Sequence, residues 1–105
     1  PEIQIPPRQL TTRNVFLLYM VFAKNRDALL DHCLKNGIEA KIHYPIPLYQ
    51  QSALAHLNYQ KGDFPVTDRH ASECISFPVD QHLSDAEQNY VIETVKSFYR
   101  DKSNG

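Results

Sequence analysis

The chain has 105 residues, 42 % of them hydrophobic, and its 11 basic and 12 acidic side chains give a formal net charge of -1. This length and composition are typical of one compact domain with a single hydrophobic core. The balanced charge argues against a nucleic-acid-binding surface and a polybasic membrane segment, and the longest apolar run, residues 15–23, is too short to span a bilayer.

Residues 1–12 contain three of the seven prolines and no clear periodicity. This composition predicts an extended lead-in at the end of a linker. The sequence begins with Pro1 and has no charged and then apolar leader. We therefore expect a piece of a longer polypeptide, without a signal peptide.

The first predicted strand covers residues 14–23, because β-branched, aromatic and aliphatic side chains occupy both of its alternating faces. A strand that is apolar on both faces needs cover on both sides of its sheet. With helices on only one side, the second face would be left as an exposed apolar patch. We expect a further domain to cover it.

The first helix is predicted to begin at Asn25 as N-cap and to end at Gly37, with Asp27 in its first turn. Its predicted core-facing residues are Leu30, Cys33 and Leu34. A second strand is predicted at residues 38–43, where apolar and polar residues alternate.

The segment after this strand reads YPIPL over residues 44–48, and its two prolines hold the backbone extended. His43 and Tyr44 therefore lie at the start of a stiff connector that can aim side chains at a ligand. From the residues alone, simple packing of this segment is an equally open interpretation.

The rest of the chain predicts two helices, a strand and a final long helix. A short helix is expected at residues 50–57, a polar loop at 58–63, and a helix from Pro65 to about Cys74 that faces inward through Val66, Ala71 and Cys74. A strand should follow at residues 75–79. Ser84 and Glu87 form a capping box for the last helix, which should end near residue 100 before a frayed tail.

These elements predict an α/β fold of the α+β type, with a small sheet of about three strands and helices packed on it. No phosphate-binding loop, dinucleotide fingerprint or metalloprotease motif occurs in the sequence. Cys33 and Cys74 lie outside metal-binding spacing, which favours reduced, buried thiols and a cytoplasmic protein.

For the other titratable residues we predict ordinary structural or surface roles. Asp80 and Asp85 could act as an acid and base pair only if folding brought them together. Ordinary, partly exposed roles are expected for four histidines, namely His32, His56, His70 and His82. We therefore predict no catalytic residue and no metal ligand in this chain.

Four runs of the sequence together resemble one protein family. GIEAKIHYPIPL at 37–48, KGDFPV at 61–66, ISFPV at 75–79 and LSDAEQNYVIETVKSFY at 83–99 resemble the C-terminal part of the DegT/StrS-type sugar aminotransferases. This resemblance implies the small C-terminal domain of a fold-type-I pyridoxal-phosphate enzyme at residues 13–100, preceded by a linker at 1–12 and followed by a disordered tail at 101–105.

In such enzymes a large N-terminal domain binds pyridoxal phosphate and supplies the catalytic lysine. The resemblance implies transfer of an amino group, usually from glutamate, to a keto sugar linked to a nucleotide. It also implies a homodimer. No lysine in this chain matches the motif of the catalytic lysine, so the chain alone should lack transaminase activity and cofactor-binding residues.

The resemblance also implies three substrate-binding residues. His43 and Tyr44 match the family's His-Tyr pair before the proline turn. We expect His43 to bind the diphosphate or sugar of the substrate and Tyr44 to shape the same pocket. Tyr49 completes the set, although many members of the family have histidine there, and many have histidine where Leu17 stands.

Two alternatives remain open from the sequence. Some relatives have replaced the catalytic lysine and act as pyridoxal-phosphate sugar dehydratases. The chain could also be a noncatalytic α+β binding or regulatory module, because a fold does not fix a function.

Overall fold

The computed structural model describes residues 1–104 and contains three β-strands, two short 3-10 segments and three α-helices. In chain order these are β1 (Ile3–Gln4), β2 (Tyr19–Ala23), α1 (Arg26–Lys35), the 3-10 segments Leu48–Gln50 and Ser52–Leu57, α2 (Pro65–Glu73), β3 (Cys74–Phe77) and α3 (Asp85–Ser103). The predicted three-stranded α+β arrangement is confirmed.

The sheet is antiparallel in the order β1-β2-β3, with β2 in the centre. Val21 of β2 lies opposite Ile75 of β3, and the side chains of both point into the core between the sheet and the helices α1 and α3. The core residues are Val21, Ala23, Leu29, Cys33, Ile38, Ala40, Ile75 and Phe98. We call this side of the sheet the core face and the opposite side the second face.

The predicted first strand was too long, because β2 begins only at Tyr19. β3 ends at Phe77, opposite Tyr19, so residues 14–18 have no neighbouring strand to pair with. Val15 and Leu17 are 92 % and 88 % exposed, and Phe16 leaves the extended conformation with a φ of 49°. Backbone pairing, rather than apolar composition, sets the start of this strand.

The lead-in prediction for residues 1–12 also needs correction at one point. Ile3 and Gln4 pair with Ala23 and Phe22 as the strand β1. The Lys24 amide donates to the Glu2 carbonyl at 2.9 Å, which continues this pairing by one bond. A two-residue strand carries no periodicity, so the sequence gives no signal for it.

The prediction of a strand at residues 38–43 is wrong. Only Lys41 pairs with the sheet, through a single bridge to Ser76 on the outer edge of β3. Ile38 and Ala40 are buried, as the alternation predicted. Pro45 and Pro47 follow closely, and their nitrogens have no hydrogen to donate to a longer ladder.

The predicted bounds of α1 are confirmed, but its capping and inner face differ. Asn25 adopts a left-handed conformation with a φ of 53° and makes no side-chain cap. Gly37 ends the helix with a φ of 75°, a conformation that glycine adopts without strain. Leu29 and Cys33 are fully buried, whereas Leu34 is 52 % exposed. The buried stripe is therefore rotated from the predicted one.

The region between residues 50 and 74 is less helical than predicted. The expected helix at 50–57 is 3-10 in form. Helix α2 begins at Pro65 as predicted, but Val66 is 66 % exposed and does not face inward. Helix α2 lies against the second face of the sheet, where the His70 ring stacks on Phe22 with centroids 4.5 Å apart. Helices therefore lie on both sides of the sheet, and not on one side only as we expected.

Helix α3 confirms the capping box, since the Glu87 amide donates to the Ser84 hydroxyl and the Ser84 amide to the Glu87 carboxylate. The helix runs to Ser103, three residues beyond the predicted end of the domain at 100. Of the predicted tail, Gly105 lies outside the described residues.

Candidate functional site

The His-Tyr pair lies directly after the bridge that joins Lys41 to the sheet. His43 is half-buried, whereas Tyr44 is 72 % exposed. Their rings meet edge to face, with centroids 5.5 Å apart and an interplanar angle of 87°. The structure therefore places the imidazole and the phenol side by side at the surface of the domain.

Strand β3 holds this pair in place through hydrogen bonds to both backbone and side chain. The Lys41 amide donates to the Ser76 carbonyl at 3.0 Å, and the Ser76 amide donates to the Lys41 carbonyl at 2.7 Å. The Ser76 hydroxyl lies 3.0 Å from Nδ1 of His43. The Cys74 thiol donates a weaker bond to the His43 carbonyl at 3.7 Å.

The alternation of side chains along β3 decides on which side of the sheet His43 lies. Ile75 is 0 % exposed and belongs to the core. Because neighbouring residues of a strand point to opposite faces, Ser76 points to the second face and His43 lies there with it. The imidazole is therefore outside the core that α1 and α3 close.

Tyr49 is half-buried in a separate cluster with the start of α2. Its hydroxyl donates to the Asp68 carboxylate at 2.5 Å, and its ring lies 4.9 Å from that of Phe64. Asp68 also accepts the Gly62 amide at 3.0 Å. These contacts fix the loop at 58–63 against α2.

The structure thus brings two of the three predicted site residues together. Within residues 1–104, no hydrogen bond or ring contact joins Tyr49 to His43 or Tyr44. The partners that position the predicted residues, Ser76 and Asp68, were missed. Their only sequence signal is indirect, since Ser76 is the polar residue within the apolar run at 75–79.

The sequence analysis did not predict the structural role of Arg26, which joins α1 to β3. Arg26 is only 8 % exposed, and its guanidinium donates to the carbonyls of Ala71 and Cys74 at 2.8 Å each. It also pairs with the Asp27 carboxylate at 2.6 Å. Its charge is therefore compensated, and it joins the end of α2 to the start of β3.

The remaining titratable residues show structural contacts. Asp80 accepts the His82 amide at 2.7 Å in a turn, and no hydrogen bond joins it to Asp85. Burial raises the pKa of the Cys33 thiol. Within residues 1–104 no group of three or more His, Cys, Asp or Glu residues is suited to a metal ion.

The residues of this chain do not by themselves fit pyridoxal phosphate. The group is held covalently by a lysine that must lose its proton, which requires a shielded site. All six lysines, at positions 24, 35, 41, 61, 96 and 102, are exposed. Within the described part of the chain, no helix is both long and apolar enough to cross a membrane.

A second surface feature is the exposed apolar segment that precedes β2. Residues 14–18 line an open groove together with Ile5 and the prolines that follow it. Leu17 is 88 % exposed. This segment and the YPIPL connector carry much of the exposed apolar surface, including Val15, Leu17, Tyr44, Ile46 and Leu48.

Comparison with known proteins gives consistent matches. The model of the DegT/DnrJ/EryC1/StrS aminotransferase family matches residues 1–96. A pleiotropic regulatory protein of Geobacillus stearothermophilus is 33 % identical over 100 residues, which cover 94 % of this chain and 27 % of the relative. A dTDP-3-amino-3,4,6-trideoxy-alpha-D-glucose transaminase of Streptomyces venezuelae is 30 % identical over 98 residues, covering 93 % of this chain and 26 % of the relative.

Solved structures give a matching result. The crystal structure of S. venezuelae DesV in complex with a ketimine intermediate superposes with a TM-score of 0.87 at 30 % identity, covering 93 % of this chain and 26 % of that one. The chain therefore spans about a quarter of the length of the proteins that it matches.

Proposed function

Because the chain belongs to the DegT/DnrJ/EryC1/StrS aminotransferase family, we propose that it is the small C-terminal domain of a pyridoxal-phosphate sugar aminotransferase. The whole enzyme transfers an amino group, from glutamate, to a keto sugar linked to a nucleotide. In this proposal His43, Tyr44 and Tyr49 bind the sugar nucleotide, and the rest of the polypeptide supplies the cofactor site.

One observation carries the proposal for the site. The His43 imidazole is half-buried on the second face of the sheet, and Ser76 at 3.0 Å fixes its Nδ1 side. Within residues 1–104 the only hydrogen bond of this ring is the one to Ser76, which leaves Nε2 for a ligand. A positioned imidazole can bind a phosphate or sugar oxygen with little loss of side-chain entropy.

The neighbouring tyrosines support different parts of the pocket. The exposed Tyr44 ring lies edge to face against the His43 ring, and we propose that it forms the neighbouring wall of the pocket. The Tyr49 hydroxyl is bound to Asp68, so a direct contact with substrate requires exchange of that bond. We propose that Tyr49 acts first by ordering the loop at 58–63 on the same side of the fold as α2.

The length of the relatives and the exposed apolar surface support a larger neighbouring domain. The matched proteins are more than three times as long as this chain, since the matched residues cover only 26 % of their length. Five apolar side chains of residues 14–18 and of the YPIPL connector stay more than half exposed within the described chain, namely Val15, Leu17, Tyr44, Ile46 and Leu48. In our proposal the N-terminal large domain covers them, carries the catalytic lysine, and forms a cytoplasmic homodimer.

The proposal is tested by the kinetics of the full-length enzyme with glutamate and a keto sugar linked to dTDP or UDP, the nucleotides in the names of relatives. His43→Ala should raise the KM for the sugar nucleotide roughly tenfold, the value of one charge-assisted hydrogen bond. His56→Ala, at an exposed histidine in the second 3-10 segment, is the matched control. An unchanged KM in His43→Ala refutes the assigned role.

The cofactor part of the proposal has its own test. The full-length protein should show the visible absorbance of bound pyridoxal phosphate, and glutamate should bleach it. The 105-residue chain mixed with the cofactor should show no such band. A band that glutamate does not bleach, together with a replaced lysine, would favour the dehydratase variant of the family.

A noncatalytic regulatory module is the second candidate, and the name of the Geobacillus stearothermophilus relative is what favours it. The two readings differ in the residues that precede Pro1 in the natural gene. A preceding domain with an aminotransferase-type lysine supports the enzyme. An unrelated preceding domain supports the module.

A further inference from the structure

Ser76 makes three hydrogen bonds to residues 41–43, two to the backbone of Lys41 and one to the side chain of His43. Its amide and carbonyl pair with Lys41 at 2.7 and 3.0 Å, and its hydroxyl contacts Nδ1 of His43 at 3.0 Å. The residue is only 4 % exposed. Its side chain is therefore shielded from bulk water and must find its partners within the protein.

The hydroxyl of Ser76 has one hydrogen to donate, and the structure offers it one acceptor. Within residues 1–104 its only hydrogen-bond partner is Nδ1 of His43. If Nδ1 carried the imidazole hydrogen and donated it to the serine oxygen, the serine hydrogen would be left without an acceptor. A buried donor without a partner is the rarer and less favourable arrangement.

We infer that Ser76 is a positioning residue that donates to Nδ1 of His43 and so fixes the neutral imidazole as the tautomer with its hydrogen on Nε2. This inference rests on the proposed function, because it assigns the direction of the hydrogen bond that His43 makes to substrate. Nε2 then carries the one hydrogen that the neutral ring can donate to a ligand. The oxygens of a diphosphate or a sugar are the acceptors that match it.

His32 provides a comparison on the other side of the sheet. Its Nε2 lies 3.2 Å from the Thr94 carbonyl, an acceptor that requires the hydrogen on Nε2. Its donor therefore points inward and is used by the fold. In His43 the corresponding donor is left for a ligand, because Ser76 uses the opposite nitrogen.

The tautomer can be measured on the 105-residue chain by long-range proton-nitrogen correlation of 15N-labelled imidazoles at about pH 8, where histidine is ordinarily neutral. We expect the His43 signals to show an unprotonated Nδ1 and a protonated Nε2. A protonated Nδ1 overturns the inference. This measurement needs no substitution, so it decides the question even if a variant fails to fold.

The variant Ser76→Ala should shift His43 toward a mixture of tautomers and leave His32 unchanged. Ser97→Ala is the matched control, because the Ser97 hydroxyl lies 3.5 Å from His32 Nε2 but donates to the Thr94 carbonyl instead. An unchanged His43 tautomer in Ser76→Ala overturns the positioning role.

Kinetics of the full-length enzyme separate this inference from the proposed function. With the same dTDP- or UDP-linked keto sugars, Ser76→Ala should raise the KM several-fold with little change in kcat, and adding Ser76→Ala to His43→Ala should raise it no further. A larger KM in the double variant overturns the inference. If His43→Ala leaves the KM unchanged, the proposed function fails, and the spectrum alone decides the tautomer.

Discussion

The two faces of the sheet are stabilised in different ways. On the core face, Leu29 and Ile75 are fully buried and Phe98 nearly so, and hydrophobic packing holds α1 and α3 to the sheet. On the second face, individual hydrogen bonds hold the segments, such as those from Ser76 to His43 and from Tyr49 to Asp68. Large apolar side chains of the segments at 14–18 and 44–48, which lie outside the three strands, stay exposed.

The difference indicates a division of roles within one small domain. The core face is complete within the described chain, because its apolar side chains cover one another. The second face is covered only in part, by α2, and the neighbouring segments at 14–18 and 44–48 keep apolar side chains exposed, as expected of a surface that meets a ligand or a larger domain. The predictions below test this contrast in order of decreasing effect.

The largest effect should follow from a cavity in the core face. Ile75→Ala removes a fully buried side chain and should lower the free energy of unfolding by about 2–5 kcal/mol. Leu17→Ala, at a side chain that is 88 % exposed, should change it by less than about 0.5 kcal/mol. Urea denaturation of the chain measures both, and equal losses would remove the distinction between the faces.

Substitution of His43 should affect ligand binding without a matching loss of stability. The half-buried ring contributes one hydrogen bond to the fold, so we expect His43→Ala to cost about 1 kcal/mol in free energy of unfolding. A loss as large as that of Ile75→Ala would mean that His43 is a core residue.

Removal of the Tyr49 hydroxyl tests whether polar contacts stabilise the segments near α2. Tyr49→Phe removes the bond to Asp68 and should lower the free energy of unfolding by about 1 kcal/mol. Tyr59→Phe keeps the same aromatic cluster, and among the described residues the Tyr59 hydroxyl has no hydrogen-bond partner. Thermal denaturation should therefore show a lower midpoint for Tyr49→Phe only.

The capping box of α3, a helix that packs on the core face, should contribute about as much to the free energy of unfolding as the Tyr49 hydroxyl does. Ser84→Ala removes an N-cap and should cost about 1 kcal/mol of stability, because the Glu87 amide loses its acceptor. Ser72→Ala, on the exposed side of α2, is the control. Chemical denaturation of both variants measures the difference, and no loss in Ser84→Ala would contradict the capping role.

The last prediction concerns alkaline solution only, where stability should depend on the ionisation of Tyr99. Burial, with a further contribution from the charge of Glu2, raises the pKa of Tyr99 to about 12, and its hydroxyl donates to the Lys24 carbonyl at 2.7 Å. Because this pKa is raised above its unfolded value, the stabilisation is complete below about pH 10 and is lost as the pH rises to about 12. Stability of Tyr99→Phe should decline less over that range, and ultraviolet titration measures the pKa directly.

Local sequence signals predicted the elements whose structure is local. The Ser84–Glu87 capping box gave the start of α3, Pro65 the start of α2, and Gly37 the end of α1. These signals are reliable because each involves contacts within a few residues along the chain.

Contacts between distant residues account for what the sequence did not predict. The start of β2 depends on where β3 ends, and the pairing of Ile3 with Ala23 joins residues far apart in the chain. The partnership of His43 with Ser76 likewise spans 33 positions. Nothing in a single sequence specifies these pairings, so the family resemblance predicts a role for His43 but gives no sign of Ser76, whose hydroxyl contacts its ring.

The central claim is that the second face presents His43 to a sugar nucleotide held mainly by a larger domain. The most direct measurement is isothermal titration calorimetry of the full-length protein with the sugar nucleotide, comparing wild type, His43→Ala and His56→Ala. The account predicts affinity about tenfold weaker for His43→Ala alone. Equal affinity for all three proteins would contradict it.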